Sequence, residues 1–174
     1  MQSQTADIAK VFFDIVDLEA TNKSSTIGYT KKVHIGMLTN DVDSCFAKQT
    51  SLTYTMYQRH TKRTDSIVLS VLEKQHLLIE LRASKNFEWN LPINTKLEVI
   101  KDDEPLYIQN YLRKDKNRVL KIISKPIFIR NNTIACVFSA DLCCGHIFGH
   151  TSLSFYKPIQ GKWTEWIVIC QGDF

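Results

Sequence analysis

Residues 122–169 alternate short β-rich runs with turn-forming clusters, and this punctuation constrains the fold more than any other stretch of the chain. Lys125-Pro126-Ile127-Phe128-Ile129 opens a strand at a proline, which lacks a ladder donor and so belongs at a strand start or a sheet edge. Arg130-Asn131-Asn132 reads as a turn. Residues 133–140 are apolar on both faces, the pattern of a central strand. A Cys/Gly/His-rich turn follows, Cys143-Cys144-Gly145-His146-Ile147-Phe148-Gly149-His150. Residues 151–157 then place Leu153 and Phe155 on one face, 158–161 reverse the chain, and 163–170 close it. The expectation is an antiparallel meander with the Cys/Gly/His turn at its tip.

Upstream the pattern is mixed. Residues 5–18 predict a helix, because Ile8, Val11, Phe12, Ile15, Val16 and Leu18 form a stripe at helical spacing, with Thr5 as a cap and Asp7 in the first turn. Residues 29–38 and 51–58 are rich in β-formers and predict strands, separated by a turn or helix start at 40–44. That turn lacks the glycine and closing glutamate of a calcium loop. A second helix is expected over 70–82, where Ser70 and Glu73 have capping-box spacing and Leu72, Gln75, His76 and Ile79, with neighbouring leucines, mark its apolar face. His76 reads as a packed or rim histidine. Phe87 and Trp89 at period two predict a strand over 86–90, and 96–100 another. Residues 106–112 suit a strand or a short helix, and 119–124 a strand. The chain therefore reads as one α+β domain over 1–174: a mainly antiparallel sheet, packed against two helices, ending in a β-meander. A curved sheet over a helix, of the cystatin-like or nuclear-transport-factor-like kind, is one version of it.

The net charge of +4 is a mild bias that says little about partners. Arg113, Lys114, Lys116, Arg118, Lys121 and Lys125 crowd one stretch after Asp102-Asp103-Glu104, and read as a solvated connector rather than a nucleic-acid face, since no aromatic pattern accompanies them. No apolar run approaches the roughly 20 residues of a spanning helix, and the first residues carry no signal-peptide pattern. The chain as given suits the cytoplasm, or the periplasm or a lipid anchor if a leader has been removed. The five cysteines, Cys45, Cys136, Cys143, Cys144 and Cys170, cannot all pair within one chain. Cys136 and Cys170 sit among apolar strand residues, and a Cys136–Cys170 bridge requires those strands to be neighbours.

The order Ile123-Ser124-Lys125-Pro126-Ile127-Phe128, a hydrophobic strand, a Cys-Gly turn, another strand and Gly161-Lys162-Trp163 resembles a group of uncharacterised proteins common in Bacteroidota and often exported or lipid-anchored. The upstream helix with Gln75 and the Trp89 segment are similar too, so the likeness spans about the last 110 residues. Members of the group often carry two Cys-Gly pairs in the turn. Here Cys144-Gly145 matches the first, and the second stands as Phe148-Gly149. The resemblance implies a fold and no particular activity.

The candidate binding or reactive residues are Cys143, Cys144, His146 and His150 in the turn, with Trp166 on the last strand. Four soft or borderline ligands lie within eight residues, yet adjacent cysteines rarely reach one ion, and glycines at 145 and 149 suit chain reversal. Asp141, Cys144 and His146 offer an orienter, a thiolate and a base, but a turn between strands supplies no helix N-terminus to lower a thiol pKa. Trp163 and Trp166 fall on opposite faces of their strand, Trp163 toward the core and Trp166 covering the other face or a binding surface. No phosphate loop, metalloprotease helix or nucleophile elbow occurs, and no cofactor or resident metal is expected. The leading expectation is a non-enzymatic binding or interaction domain of a bacterial protein, with an unknown partner, a protein being one option. Its rivals are a metal-binding or thiol-dependent enzyme using Cys144, His146 and His150, and a toxin-immunity-like partner.

Overall fold

A computed structural model of the chain describes residues 2–16, 27–33, 42–58, 62–92, 97–100, 105–115, 117–143 and 149–173. Residues 34–38 of the strand expected over 29–38, the acidic trio 102–104, Lys116, and the turn residues Cys144 and His146 lie outside these. The described helices are α1 (Gln2–Val16), α2 (Val71–Ala83) and α3 (Pro105–Arg113). The strands are β1 (Ile27–Thr30), β2 (Thr53–Gln58), β3 (Arg63–Val68), β4 (Leu97–Ile100), β5 (Val119–Ile123), β6 (Ile127–Ile129), β7 (Ile134–Cys143), β8 (Gly149–Ile159) and β9 (Lys162–Asp173). The main sheet runs β4-β1-β5-β7-β8-β9, with β6 also paired to β7, and β2–β3 form a separate hairpin.

The fold is α+β with a mostly antiparallel sheet and a C-terminal meander, as the sequence predicts. Strand β7 is central, flanked by β5 and β6 on one side and β8 on the other. Arg130, Asn131 and Asn132 all adopt positive φ in the turn before it. The β8–β9 reversal takes two residues, Gln160 at φ 51° and Gly161 at φ 82°, a primed turn whose twist suits the strands and whose second position favours glycine.

The parallel minority of the sheet lies at β1, which pairs parallel to both β4 and β5, because the long segments separating these strands permit crossovers that a tight turn does not. Three expectations need correction. Residues 87–92 form no strand. Trp89 instead donates from its indole to the Ile123 carbonyl at 2.7 Å and from its backbone to Lys31 O at 2.9 Å, which fixes an irregular segment against the sheet. Cys136 cannot meet Cys170, because β8 stands between β7 and β9 and the register aligns Cys136 with Phe155 and then Ile167. Helix α2 faces the core with Lys74, Leu77 and Leu81, while Leu72 and Ile79 are 76% and 65% exposed and His76 points to solvent. Two apolar stripes compete on that helix. The buried one carries Lys74, whose ammonium donates to Gln49 O and Ser51 O and lies 5.4 Å from the Phe46 ring centroid. These carbonyls satisfy a cation that burial otherwise penalises, and the same burial lowers its pKa. The 106–112 stretch, left open between strand and helix, is helical, beginning at Pro105, where a missing N–H costs nothing.

Two cores result. Helix α1 lays Val11, Phe12 and Val16 on Tyr29, Trp89, Ile123, Val137 and Trp163. The opposite face joins Phe46, Tyr54, Leu77, Leu112, Phe138 and Phe155. Alternation along β7 sends Val137 to one core and Phe138 to the other, so both faces of the central strand are covered. The outer strand β9 is guarded: Asp14 of α1 accepts the Trp163 N–H at 2.8 Å, and Gln58 of β2 donates to Trp166 O at 2.7 Å. Capping such groups with side chains blunts an edge that otherwise templates further pairing.

The capping box of α2 is complete, with Ser70 Oγ accepting from Glu73 N at 3.1 Å and Glu73 Oε2 accepting from Ser70 N at 2.7 Å. Glu73 also meets Arg130 at 2.9 Å, tying α2 to the turn before β7. Arg130 foremost, then the Ser70 N–H, hold the Glu73 carboxyl below the usual glutamate range. A depressed carboxyl stabilises the fold above its unfolded value and loses that contribution as pH falls through the folded one. Ser70→Ala is therefore expected to cost about 1 kcal/mol at neutral pH, and denaturant melts of the unaltered chain should weaken below the ordinary glutamate range. A neutral-pH melt for Ser70→Ala superimposable on the parent's would refute the cap.

Candidate functional site: a polar cavity beside the first helix

Helix α1 covers only part of its sheet face. Next to Asp14 and Ile15 the uncovered part forms a half-open cavity of about 390 Å³ over β5, β7, β8 and β9. Period-two alternation explains its polarity. Along β7 Phe138, Ala140 and Leu142 point into the opposite core, which leaves Ser139 and Asp141 for this face. Along β8 the same face carries His150, Ser152 and Tyr156. Register brings these into rows: Lys121 opposite Asp141 opposite His150, and Ser139 opposite Ser152 opposite Gln171.

The rows are bonded. Lys121 Nζ lies 2.5 Å from Asp141 Oδ2, with the lysine side chain 18% exposed. Ser139 and Ser152 hydroxyls are 3.0 Å apart, and Ser154 Oγ donates to Glu165 Oε1 at 2.8 Å. The Tyr156 phenol is buried among them. Burial, then the Glu165 charge, push its pKa far above the usual phenol value, while a bond from Ser139 opposes the shift. The phenol thus stays neutral, on the residue paired in register with Glu165. Asp14 is held by Lys10 at 2.7 Å and by the Trp163 N–H.

Of the residues singled out from sequence, Cys143, His150 and Trp166 are described, while Cys144 and His146 lie outside the described residues. His150 lines the cavity. Cys143 ends β7 and is disulfide-bonded, as is Cys170, whereas Cys136 is a free thiol buried in the core, its pKa raised by that burial. Trp166 is on the other face, where its indole donates to Asp65 at 2.7 Å and Lys157 Nζ sits 4.1 Å from its ring centroid. A second hollow of about 300 Å³ lies there, between Trp166 and the β2–β3 hairpin. Among the described residues no three His, Cys, Asp or Glu side chains are grouped to hold a metal ion, and no helix is long and apolar enough to cross a membrane. The basic stretch faces carboxylates: Arg118 meets Glu98 at 3.1 Å and Lys125 meets Glu80 at 3.3 Å.

Sequence reasoning passed over Ser139, Ser152, Tyr156, Glu165 and Gln171. A signal existed: His150, Ser152, Ser154 and Tyr156 recur at period two along β8, the first two opposite Asp141 and Ser139. Buried hydroxyls in such a row demand partners. Comparison with protein-family models, curated proteins and solved structures finds no match to this chain.

Proposed function

We propose that this chain is a non-enzymatic binding domain whose ligand occupies the cavity beside α1. The observation that carries the reading is a bonded polar row on a sheet face that elsewhere packs as core, lining a half-open hollow whose volume falls within the roughly 300–1,000 Å³ range of small-molecule sites. A core that merely needed filling would place apolar side chains there. The rival thiol reading turns on Cys144 and His146, which lie outside the described residues; among the described cysteines, Cys143 and Cys170 are bonded and Cys136 is buried. Bacterial origin and an envelope location, suggested by the I-S-K-P-I-F strand, the Cys-Gly turn and the Gly-Lys-Trp strand, accord with bonded cysteines, since disulfides persist in oxidising compartments.

The test is amide NMR with a library of small polar fragments. Binders should move the resonances of Ser139, Asp141, His150, Ser152 and Gln171. Gln171→Trp, at an exposed rim position, should abolish those shifts. Fragments that gather on another surface, or that bind the Trp variant equally well, would remove the basis for this assignment.

A further inference from the structure

We propose that the cavity selects an uncharged, hydroxyl-rich ligand of about single-ring size, a monosaccharide or cyclic polyol; this rests on the binding role proposed above. The first argument is electrostatic. The ionic groups around the cavity are engaged within the protein: Lys121 with Asp141, Asp14 with Lys10 and the Trp163 N–H, Glu165 with the Ser154 hydroxyl. His150 and Lys162 also have partners. A charged ligand would give up hydration to compete for side chains that already hold partners inside the protein. A neutral polar ligand incurs no such penalty.

The second argument is the hydroxyl lining. Ser139 and Ser152 are bonded at 3.0 Å and either hydroxyl can be the donor, so the pair keeps one hydroxyl hydrogen and acceptor lone pairs for a ligand. The Gln171 amide at the rim offers both a donor and an acceptor, and Thr164 a rotatable hydroxyl. Sugar and polyol hydroxyls are themselves donors and acceptors at once, and match such a lining group for group. Trp163, Val168 and Ile15 supply apolar wall for the C–H faces of a ring.

Size is the third. At about 30 Å³ of liquid volume per water, the 390 Å³ space equals roughly a dozen waters. One sugar ring fits, whereas an extended peptide requires a longer groove.

The full chain should be titrated, with amide NMR as readout, against glucose, galactose, mannose, N-acetylglucosamine and myo-inositol, and against glucuronate, glucosamine and glucose 6-phosphate as charged counterparts. At least one neutral probe should move the Ser139, Ser152 and Gln171 resonances, and its charged counterparts should bind at least about tenfold more weakly. Inositol against the hexoses separates polyol from sugar. Ser152→Ala should weaken the best probe about fivefold, the worth of one neutral hydrogen bond. Gln171→Ala, on the exposed rim, gives a second reading should the strand variant fail to fold. A charged counterpart that outbinds its neutral parent overturns the ligand class, as does a cavity that takes fragments but none of the neutral probes; both leave the binding site standing. Fragments and sugars that all miss the cavity overturn site and class together.

Discussion

Phe12→Ala is expected to lower the free energy of unfolding by about 3–5 kcal/mol, the largest single-residue effect in the α1 layer. Phe12 is fully buried, and its ring lies 5.3 Å from Tyr29, 4.7 Å from Trp89 and 5.8 Å from Phe13. Those neighbours sit on β1, on the irregular 87–92 segment and on α1 itself. Two separately anchored walls, β1 and the 87–92 segment, cannot both move inward, so the hole left by the ring stays open and its cost approaches the upper end. The consequence for function is direct. Asp14, half a turn further on, closes one side of the cavity and holds the Trp163 N–H of the outer strand. A loosened α1 should therefore lose ligand shifts at Ser139 and Ser152 before global unfolding. Denaturant melts alongside Lys10→Ala, which removes only a surface pair worth about 0.3–0.5 kcal/mol, calibrate the result. Equal melts for the two variants would mean that α1 does not pack on the sheet in this way.

The second large effect is expected at Gly149, the first residue of β8. An alanine Cβ there would run into the Asp141 carbonyl oxygen and the Leu142 side chain, well inside contact distance. The oxygen belongs to the backbone of the central strand and cannot rotate away. The variant must part β8 from β7 at the Leu142–Gly149 and Asp141–His150 pairs, which border the cavity. Overpacking of this kind costs about 1–3 kcal/mol, and a backbone obstacle favours the upper figure. Gly161→Ala is the instructive contrast, since nothing lies within 4 Å of its Cβ and the penalty comes only from φ +82°. Amide exchange should rise at Asp141, Leu142 and His150 in the Gly149 variant and stay at parent levels there in the Gly161 variant. Unchanged exchange at Asp141 in Gly149→Ala would show the register at this end of the hairpin to be different.

How much was legible follows from the range of the interactions involved. Strands β5 to β9 and their turns were readable because each signal is local: Pro126 at a strand start, Arg130-Asn131-Asn132 in positive φ, Gly161 in a two-residue reversal, period-two alternation between. The capping box of α2 was equally local, two side chains answering two backbone donors. The opposite placement of Trp163 and Trp166 needed only the pleat. The candidate site was scarcely legible. Of the residues marked in advance, His150 lines the cavity, while Cys143 is bonded and Trp166 is tied to Asp65 on the other face. The turn's crowded chemistry drew attention away from serines spaced along ordinary strands.

By itself the sequence determined the strands from Val119 onward and the turns at 130–132 and 160–161, because dihedral preference and periodicity act within a few residues. Only the tertiary structure decided that β1 runs parallel between β4 and β5, that α2 buries Lys74 and Leu77 rather than Leu72 and Ile79, and that Ser139, Ser152, Tyr156 and Glu165 meet. Each of these depends on which distant partner a face finds and in what register, and a shift of one residue along any of the strands would have turned the same hydroxyls into the opposite core.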